Sequence, residues 1–221
     1  MDVTAFLLAG GMGKRMRGIT CLPKCMIAIN EKPVLFHWID SLSTICDKIY
    51  ISLFYRCNRM RSCIQNKYPD LVNLDIICDG RKGQWAHAEY IAEQVKTDKI
   101  AIILADNYWE GFDKGEQGID KLRELLMIPN DKAMAIGYMP QVFSSGKPGS
   151  LAWNGMLIIR TEGFRLLVPQ FDSQIIIGET IIPFIKNHYK YHTFLMPGFY
   201  IDIGSEININ RLKTEGYKIG L

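Results

Sequence analysis

Residues 5–24 read AFLLAGGMGKRMRGITCLPK, and the fold turns on how that stretch is understood. Ala5 to Leu8 is a short apolar run of the kind a buried strand needs. It stops at Gly10-Gly11-Met12-Gly13, and the cations Lys14, Arg15, Arg17 and Lys24 follow. Glycines lack Cβ, so their backbone can bend tightly and bring N–H groups close to a ligand. Consecutive amides of that kind make an anion-binding concavity, and nearby cations favour phosphate through charge-assisted hydrogen bonds. The stretch therefore reads as a strand that ends in a polyphosphate cradle. It is neither of two familiar phosphate loops. A G-x-x-x-x-G-K-[ST] loop would need glycine at Leu8 and a hydroxyl at Arg15. A G-x-G-x-x-G fingerprint would need glycine at Met16. On the glycines alone, an ordinary turn with cations on a wet surface stays open.

The longer stretch LAGGMGKRMRGITCLPKCMIAINEKPVLFHWIDSL resembles the opening of the sugar-1-phosphate nucleotidyltransferases, L-A-G-G-x-G-T-R-L-x-P-x-T-x-x-x-P-K-x-M-x-x-I-x-x-K-P-x-L. Leu8, Ala9, Gly10, Gly11, Gly13, Arg15, Thr20, Pro23, Lys24, Met26, Ile29, Lys32, Pro33 and Leu35 fall on matching positions. Lys14 stands where that family has Thr or Ser, Gly18 replaces a proline, and one residue is missing between Thr20 and Pro23. The resemblance is closest in format to the short heptose- and mannose-1-phosphate guanylyltransferases. It implies an α/β fold: a Rossmann-like three-layer α/β/α domain with a mostly parallel, mixed central sheet. It also implies one nucleotidyltransferase domain over 1–221, with a nucleotide-binding part of about 1–110 and a sugar-phosphate-binding part of about 111–221.

The rest of the chain supplies elements in the right order. Val34 to Thr44 carries Leu35, Trp38, Ile39 and Leu42 at helical spacing, which makes Trp38 a core residue. Strands are expected at Cys25–Ile29, Lys48–Phe54, Leu74–Cys78, Lys99–Leu104 and Ala133–Met139. One further strand, near Asn154–Ile159, is expected to run antiparallel. Helices are expected at Asn58–Lys67, with Arg56, Arg59 and Arg61 on a solvated face, at Gln84–Val95, within 111–127, and at Ile181–Asn187. Ser205 suits the N-cap of a last helix, Glu206 to Glu215, with Gly216 ending it.

Acids mark the chemistry. Asp106 follows the apolar run Lys99–Leu104, and a carboxylate after a parallel strand points into the crevice where α/β proteins bind ligands. Asp202 lies in FYIDIGSE, which resembles the family's closing y-x-D-I-G-T-P-E. Two like charges desolvated near one point are costly. They become reasonable with Mg²⁺ between them, since magnesium takes one or two carboxylates together with substrate phosphates.

By resemblance, Leu8, Ala9, Gly10, Gly11, Gly13, Lys14 and Asp106 bind the nucleotide, with the amides of Gly10, Gly11 and Gly13 on the triphosphate, and Arg15 and Lys24 are catalytic. Gly83 and Gln84 face the base, where a glutamine amide offers a donor and an acceptor together. Lys147, Asn154, Gly155 and Glu179 face the sugar phosphate, and Asp106 and Asp202 hold Mg²⁺. Gly146 replaces the family's acid in its E-K-P segment.

The implied reaction is Mg²⁺-dependent transfer of a nucleotidyl group from a nucleoside triphosphate to a sugar 1-phosphate, as in nucleotide-sugar and polysaccharide biosynthesis. Two alternatives stay open. One is a cytidylyltransferase for a non-sugar phosphate such as phosphocholine. The other is a nucleotide-binding regulatory homologue without turnover.

Composition agrees with a single soluble domain of 221 residues. A net charge of +3 is too small to argue for nucleic acid or membrane partners. No run approaches a membrane span, and the N-terminus has no secretory pattern. Six scattered cysteines without a C-x-x-C pair suggest reduced thiols in a cytoplasmic chain. Tyr108, Trp109 and Tyr191, expected to be exposed, hint at a homodimer surface.

Overall fold

The computed structural model describes residues 2–16, 18–129, 131–140 and 151–221. In chain order its strands are β1 (Val3–Leu8), β2 (Ala28–Ile29), β3 (Lys32–Pro33), β4 (Lys48–Ser52), β5 (Leu74–Ile77), β6 (Lys99–Leu104), β7 (Asn107–Trp109), β8 (Met134–Pro140), β9 (Leu151–Arg160), β10 (Tyr191–Leu195), β11 (Tyr200–Asp202) and β12 (Ile219–Gly220). Its helices are α1 (Val34–Ser43), α2 (Cys57–Lys67), α3 (Ala88–Gln94), α4 (Glu116–Leu125), α5 (Thr161–Leu167), α6 (Ile181–His188) and α7 (Glu206–Thr214).

β1 is buried along its whole length because it has strand neighbours on both edges and helices on both faces. The main sheet has seven strands in the order β10-β8-β9-β6-β1-β4-β5. β9 runs antiparallel to β6 and β8, and the other pairings are parallel. This is the mixed sheet expected, with the reversed strand where it was expected. Successive β1 side chains alternate between two cores. Val3, Ala5 and Leu7 join the core built with α1, α2, α4 and α7. Phe6 and Leu8 join the core built with α3, α5 and α6. Three layers result, and the C-terminal ends of β1, β4 and β6 open onto one cleft.

α1 buries Leu35, Trp38, Ile39 and Leu42, the predicted stripe. The Trp38 indole N–H also donates to the Asn107 carbonyl at 2.8 Å, which ties α1 to the turn after β6. α7 opens as expected, with Ser205 Oγ accepting from the Asn208 amide. Gly216, at φ +89°, ends the turn that follows it.

Several expectations are corrected. Lys24–Met26 is a 3-10 turn, and only Ala28–Ile29 of the predicted Cys25–Ile29 strand is extended. β2 pairs with β3 and β12 in a separate small sheet. The helix predicted from Gln84 begins at Ala88. Tertiary contacts override its first turn, because Gln84 Oε1 and the Trp85 amide bond to the 173–177 loop. Arg61 is not simply solvated; its guanidinium donates to the Cys78 carbonyl at 3.2 Å.

Tyr108 and Trp109 are 0% and 2% exposed, so they offer no dimer surface. They lie in β7, which pairs with β11 as a two-stranded ribbon, and Tyr108 packs against His37, Phe112 and Tyr217. The thiols are not all free, since Cys57 and Cys78 form a disulfide that joins the start of α2 to the end of β5. Among the described residues, no helix is long and apolar enough to cross a membrane.

Candidate active site

The cleft encloses about 500 Å³. Its floor is the bend after β1. The Ala9 amide donates to the Ser52 carbonyl at 3.0 Å, which extends the β1–β4 ladder one residue before the chain leaves the sheet. Gly10 then passes against Phe54, where an added Cβ would sit 3.1 Å from the Phe54 Cβ. Gly10, Gly11 and Met12 line the cleft. Gly13, at φ +58°, turns the chain into a 3-10 turn, Lys14–Met16, anchored by buried Met16.

That turn presents Arg15, whose guanidinium lies 4.0 Å from Asp202 Oδ2 and whose side chain is 62% exposed. Lys24, by contrast, is 14% exposed and donates to Asp106 Oδ2 at 3.3 Å.

The two acids meet. Asp106 follows β6, Asp202 ends β11, and the Ile203 amide donates to the Asp106 carbonyl at 3.0 Å. Asn107, the next residue, pairs directly with Asp202 in the β7–β11 ribbon. A Cβ on Gly204 would lie 2.5 Å from Lys24 Nζ and 2.6 Å from Asp202 Oδ1, so Lys24 stands between Asp202 and its partner Asp106. Burial, then the like charge of Asp106, pushes the Asp202 carboxyl above the usual range. Lys24, the Gly204 amide and Arg15 pull it back. The same burial, with Asp106 second, pushes the Cys25 thiol far up, so Cys25 is an inert core residue. Among the described residues no cluster of three or more His, Cys, Asp and Glu stands ready to hold an ion. A carboxylate pair is nevertheless the donor set that suits magnesium when phosphate and water supply its other oxygens.

Residues 5–109 match the family model described as MobA-like NTP transferase domain. This segment is similar to nucleotidyltransferase domains. A probable mannose-1-phosphate guanylyltransferase 2 from Arabidopsis thaliana is 22% identical over 224 residues, covering 90% of this chain. The chain spans 61% of that relative's length. Among solved structures, HddC from Yersinia pseudotuberculosis complexed with GMP-PN has a TM-score of 0.70 at 18% identity, covering 96% of this chain and 98% of that one. The inositol-1-phosphate CTP transferase from T. maritima also has a TM-score of 0.70, at 12% identity, covering 96% and 95%. The nucleotidyltransferase fold thus extends through most of the chain.

The cleft gathers most of the residues picked from the sequence. Leu8, Ala9, Gly10, Gly11, Arg15, Lys24, Gly83, Gln84, Asp106, Asn154, Gly155 and Asp202 line it. Gly13 and Lys14 do not; Lys14 is exposed on the turn behind the bend. Glu179 is exposed in the turn before α6, outside the cleft wall, and Lys147 lies outside the described residues.

Gly83, at φ +120°, packs so closely on the Ser173 carbonyl that any side chain would collide with it. Gln84 Oε1 accepts from the Ile177 amide at 2.8 Å, which fixes the orientation of the amide whose N–H groups could meet a base. Asn154 is 1% exposed; its Oδ1 accepts from the Met156 amide, while Nδ2 is buried without a hydrogen-bond partner. Its carbonyl accepts from Asn107 at 3.1 Å and from Tyr200 at 2.7 Å, which locks β9 to the acid pair.

Further wall residues were not singled out beforehand, among them Ser52, Lys82, Trp153, Ile175 and Ile176. Ser52 could have been suspected as the small hydroxyl residue that ends β4.

Proposed function

We propose that this protein transfers a nucleotidyl group from a nucleoside triphosphate to a sugar 1-phosphate, releasing pyrophosphate, with Mg²⁺ as its metal. The observation that carries the reading is the convergence of Lys24, Asp106, Asp202 and Arg15 at the end of the glycine bend. An oxygen of the acceptor phosphate attacks the α-phosphorus, the bond to the bridging oxygen of the β-phosphate breaks, and pyrophosphate departs with its electron pair. Such chemistry depends chiefly on positioning and charge stabilisation.

The amides of Gly10 and Gly11 cradle the triphosphate. Arg15, exposed at the cleft mouth, stabilises the departing pyrophosphate. Lys24, held by Asp106, sits beside the α-phosphate and keeps the incoming phosphate from being repelled. Asp106 and Asp202 hold the magnesium, which when bound neutralises charge on the phosphate oxygens. Asn154 Nδ2 and the open backbone at Gly155 receive the acceptor. The cytoplasm, where nucleoside triphosphates are made, is the setting of this reading.

A second reading has its own support. Beside Asn154 and Gly155 the described wall adds the apolar Met139 and Trp153, and Glu179 stands apart from it. Such a wall suits a phosphate ester poorer in hydroxyls than a sugar, used with CTP. One experiment tests both. The protein is incubated with Mg²⁺, each of the four triphosphates and a panel of sugar and non-sugar phosphates, and pyrophosphate is measured. Release with a sugar 1-phosphate supports the first reading, and release only with CTP and a non-sugar ester supports the second. No release with any pair, alongside tight nucleotide binding, would mean a binding protein without turnover.

A further inference from the structure

Across β1 from the acid pair lies a chain of hydrogen bonds that the roles above do not use. Ser52, at the end of β4, lines the cleft, and its Oγ is 2.6 Å from His87 Nδ1. His87 Nε2 is 2.8 Å from Asp79 Oδ1, just beyond β5. Ser52 is 5% exposed and His87 is fully buried. Asp79 is also gripped by Arg81, whose guanidinium approaches it at 2.7 Å. Arg81 first, and the His87 hydrogen bond after it, hold the Asp79 carboxyl well below the usual carboxylate range.

With Asp79 ionised and the His87 ring neutral, this chain of hydrogen bonds has one direction. An ionised carboxylate only accepts, so Nε2 carries the hydrogen, and in the neutral ring Nδ1 is the acceptor. Ser52 has one proton, and Nδ1 takes it. An unconstrained serine hydroxyl can donate or accept. Here only its lone pairs remain for a ligand.

The sheet order says which part of a ligand they would meet. Asn154 and Gly155 lie on β9, Asp106 follows β6, the glycine bend follows β1, and Ser52 ends β4. Lys24, Arg15 and the acid pair lie on the β1–β6 side, and Lys82 is the lining cation beyond β5. A nucleoside attached to those phosphates extends toward β4 and β5, where Gln84 offers its amide hydrogens. We propose that Ser52 reads the nucleobase by accepting one of its ring or amino N–H groups. His87 and Asp79 act as positioning residues that strip the hydroxyl of its donor role. This assignment rests on the nucleoside triphosphate reading of the cleft.

The test compares two ligands with the same charge, the preferred nucleoside triphosphate and ribose 5-triphosphate, which has no base. Binding is measured by titration calorimetry for wild type, Ser52→Ala, Ser52→Thr and His87→Gln, with melting temperatures in parallel. One neutral hydrogen bond corresponds to an affinity change of up to about tenfold. Ser52→Ala should therefore weaken the nucleoside triphosphate by about that factor and leave ribose 5-triphosphate unchanged. Ser52→Thr should keep near wild-type affinity, and in turnover the Ser52→Ala loss should fall on KM rather than kcat. A folded His87→Gln should show the same base-selective loss.

Equal loss for both ligands would overturn the assignment. So would a lower melting temperature in Ser52→Ala without any base-selective effect, since the chain would then be only a clamp between β4, β5 and α3. Wild-type protein that binds no nucleoside triphosphate would instead overturn the nucleotidyltransferase reading, and this assignment with it.

Discussion

Replacing Asp202 by Asn should make the ligand-free protein more stable and the enzyme far less active. Lys24 Nζ is 3.3 Å from Asp106, and the Gly204 position brings Lys24 Nζ and Asp202 Oδ1 within 2.5 and 2.6 Å of a common point. The two carboxylates are therefore at most roughly 8 Å apart, and at an effective dielectric of about 20 they repel by about 2 kcal/mol. Their side chains keep 32% and 27% exposure, so solvent screens part of this. Arg15 offsets little, being 62% exposed. Lys24 is shared between both acids.

Asparagine keeps an acceptor for the Gly204 amide, which donates to Asp202 Oδ1 at 2.6 Å. The net gain is about 1 kcal/mol, a rise in melting temperature of about 2–4 °C for a domain of this size. The sign with pH follows from the raised Asp202 carboxyl. Its charge destabilises the fold fully above the folded-state pKa. That cost fades as pH falls toward the unfolded value of about 3.9 and is absent below it. Scanning calorimetry without ligand, from pH 7 down to pH 4, reads this directly, and the gap between variant and wild type should narrow with acid. Turnover should fall by ~10²–10³, the usual loss for one electrostatic group of this kind. An Asp202→Asn protein that melts at or below the wild-type temperature at pH 7 would refute the reasoning.

Arg15→Ala should lower turnover by ~10²–10³ and leave the melting temperature within about 1 °C, because an exposed side chain contributes little to the fold. Gly155→Ala should cost about 2–4 kcal/mol, measurable by urea titration. Its φ is +87°, and the new methyl would lie 2.5 Å from Asn107 Nδ2, which bonds the Asn154 carbonyl. Cys57→Ser should lower stability by about 3 kcal/mol under non-reducing conditions, from the loop the bridge closes, and a reductant should then have no further effect. A reductant that leaves the wild-type melting temperature unchanged would count against the bridge.

The sequence made the frame legible because each strand is an apolar run with a clear stop. The order of runs and helical stripes then left little choice of architecture. The acid pair was legible for a related reason: Asp106 and Asp202 each interrupt an apolar stretch, and burying such a charge demands a partner. What stayed hidden depends on contacts between distant segments. Nothing local says that Gln84 will surrender its carbonyl oxygen to Ile177, or that Cys57 will find Cys78. Tyr108 and Trp109 looked exposed because a three-residue strand beside a charged loop gives no period to judge. Their burial comes from β11, far along the chain. Nothing local marks His87 either, since its two partners lie on β4 and just after β5.

The ribbon of β7 and β11 bears on how such a chain could be cut or recombined. The matched family segment ends at Trp109, the last residue of β7, whose indole N–H donates to the Pro197 carbonyl at 2.8 Å. The following amide, of Glu110, donates to the Phe199 carbonyl at 2.9 Å. A border drawn there in sequence falls inside a seam in space. Either fragment would carry one of the two carboxylates and a raw strand edge inviting aggregation. Grafting a foreign C-terminal half onto residues 5–109 would have to restitch that seam, residue for residue, before any transferase could work.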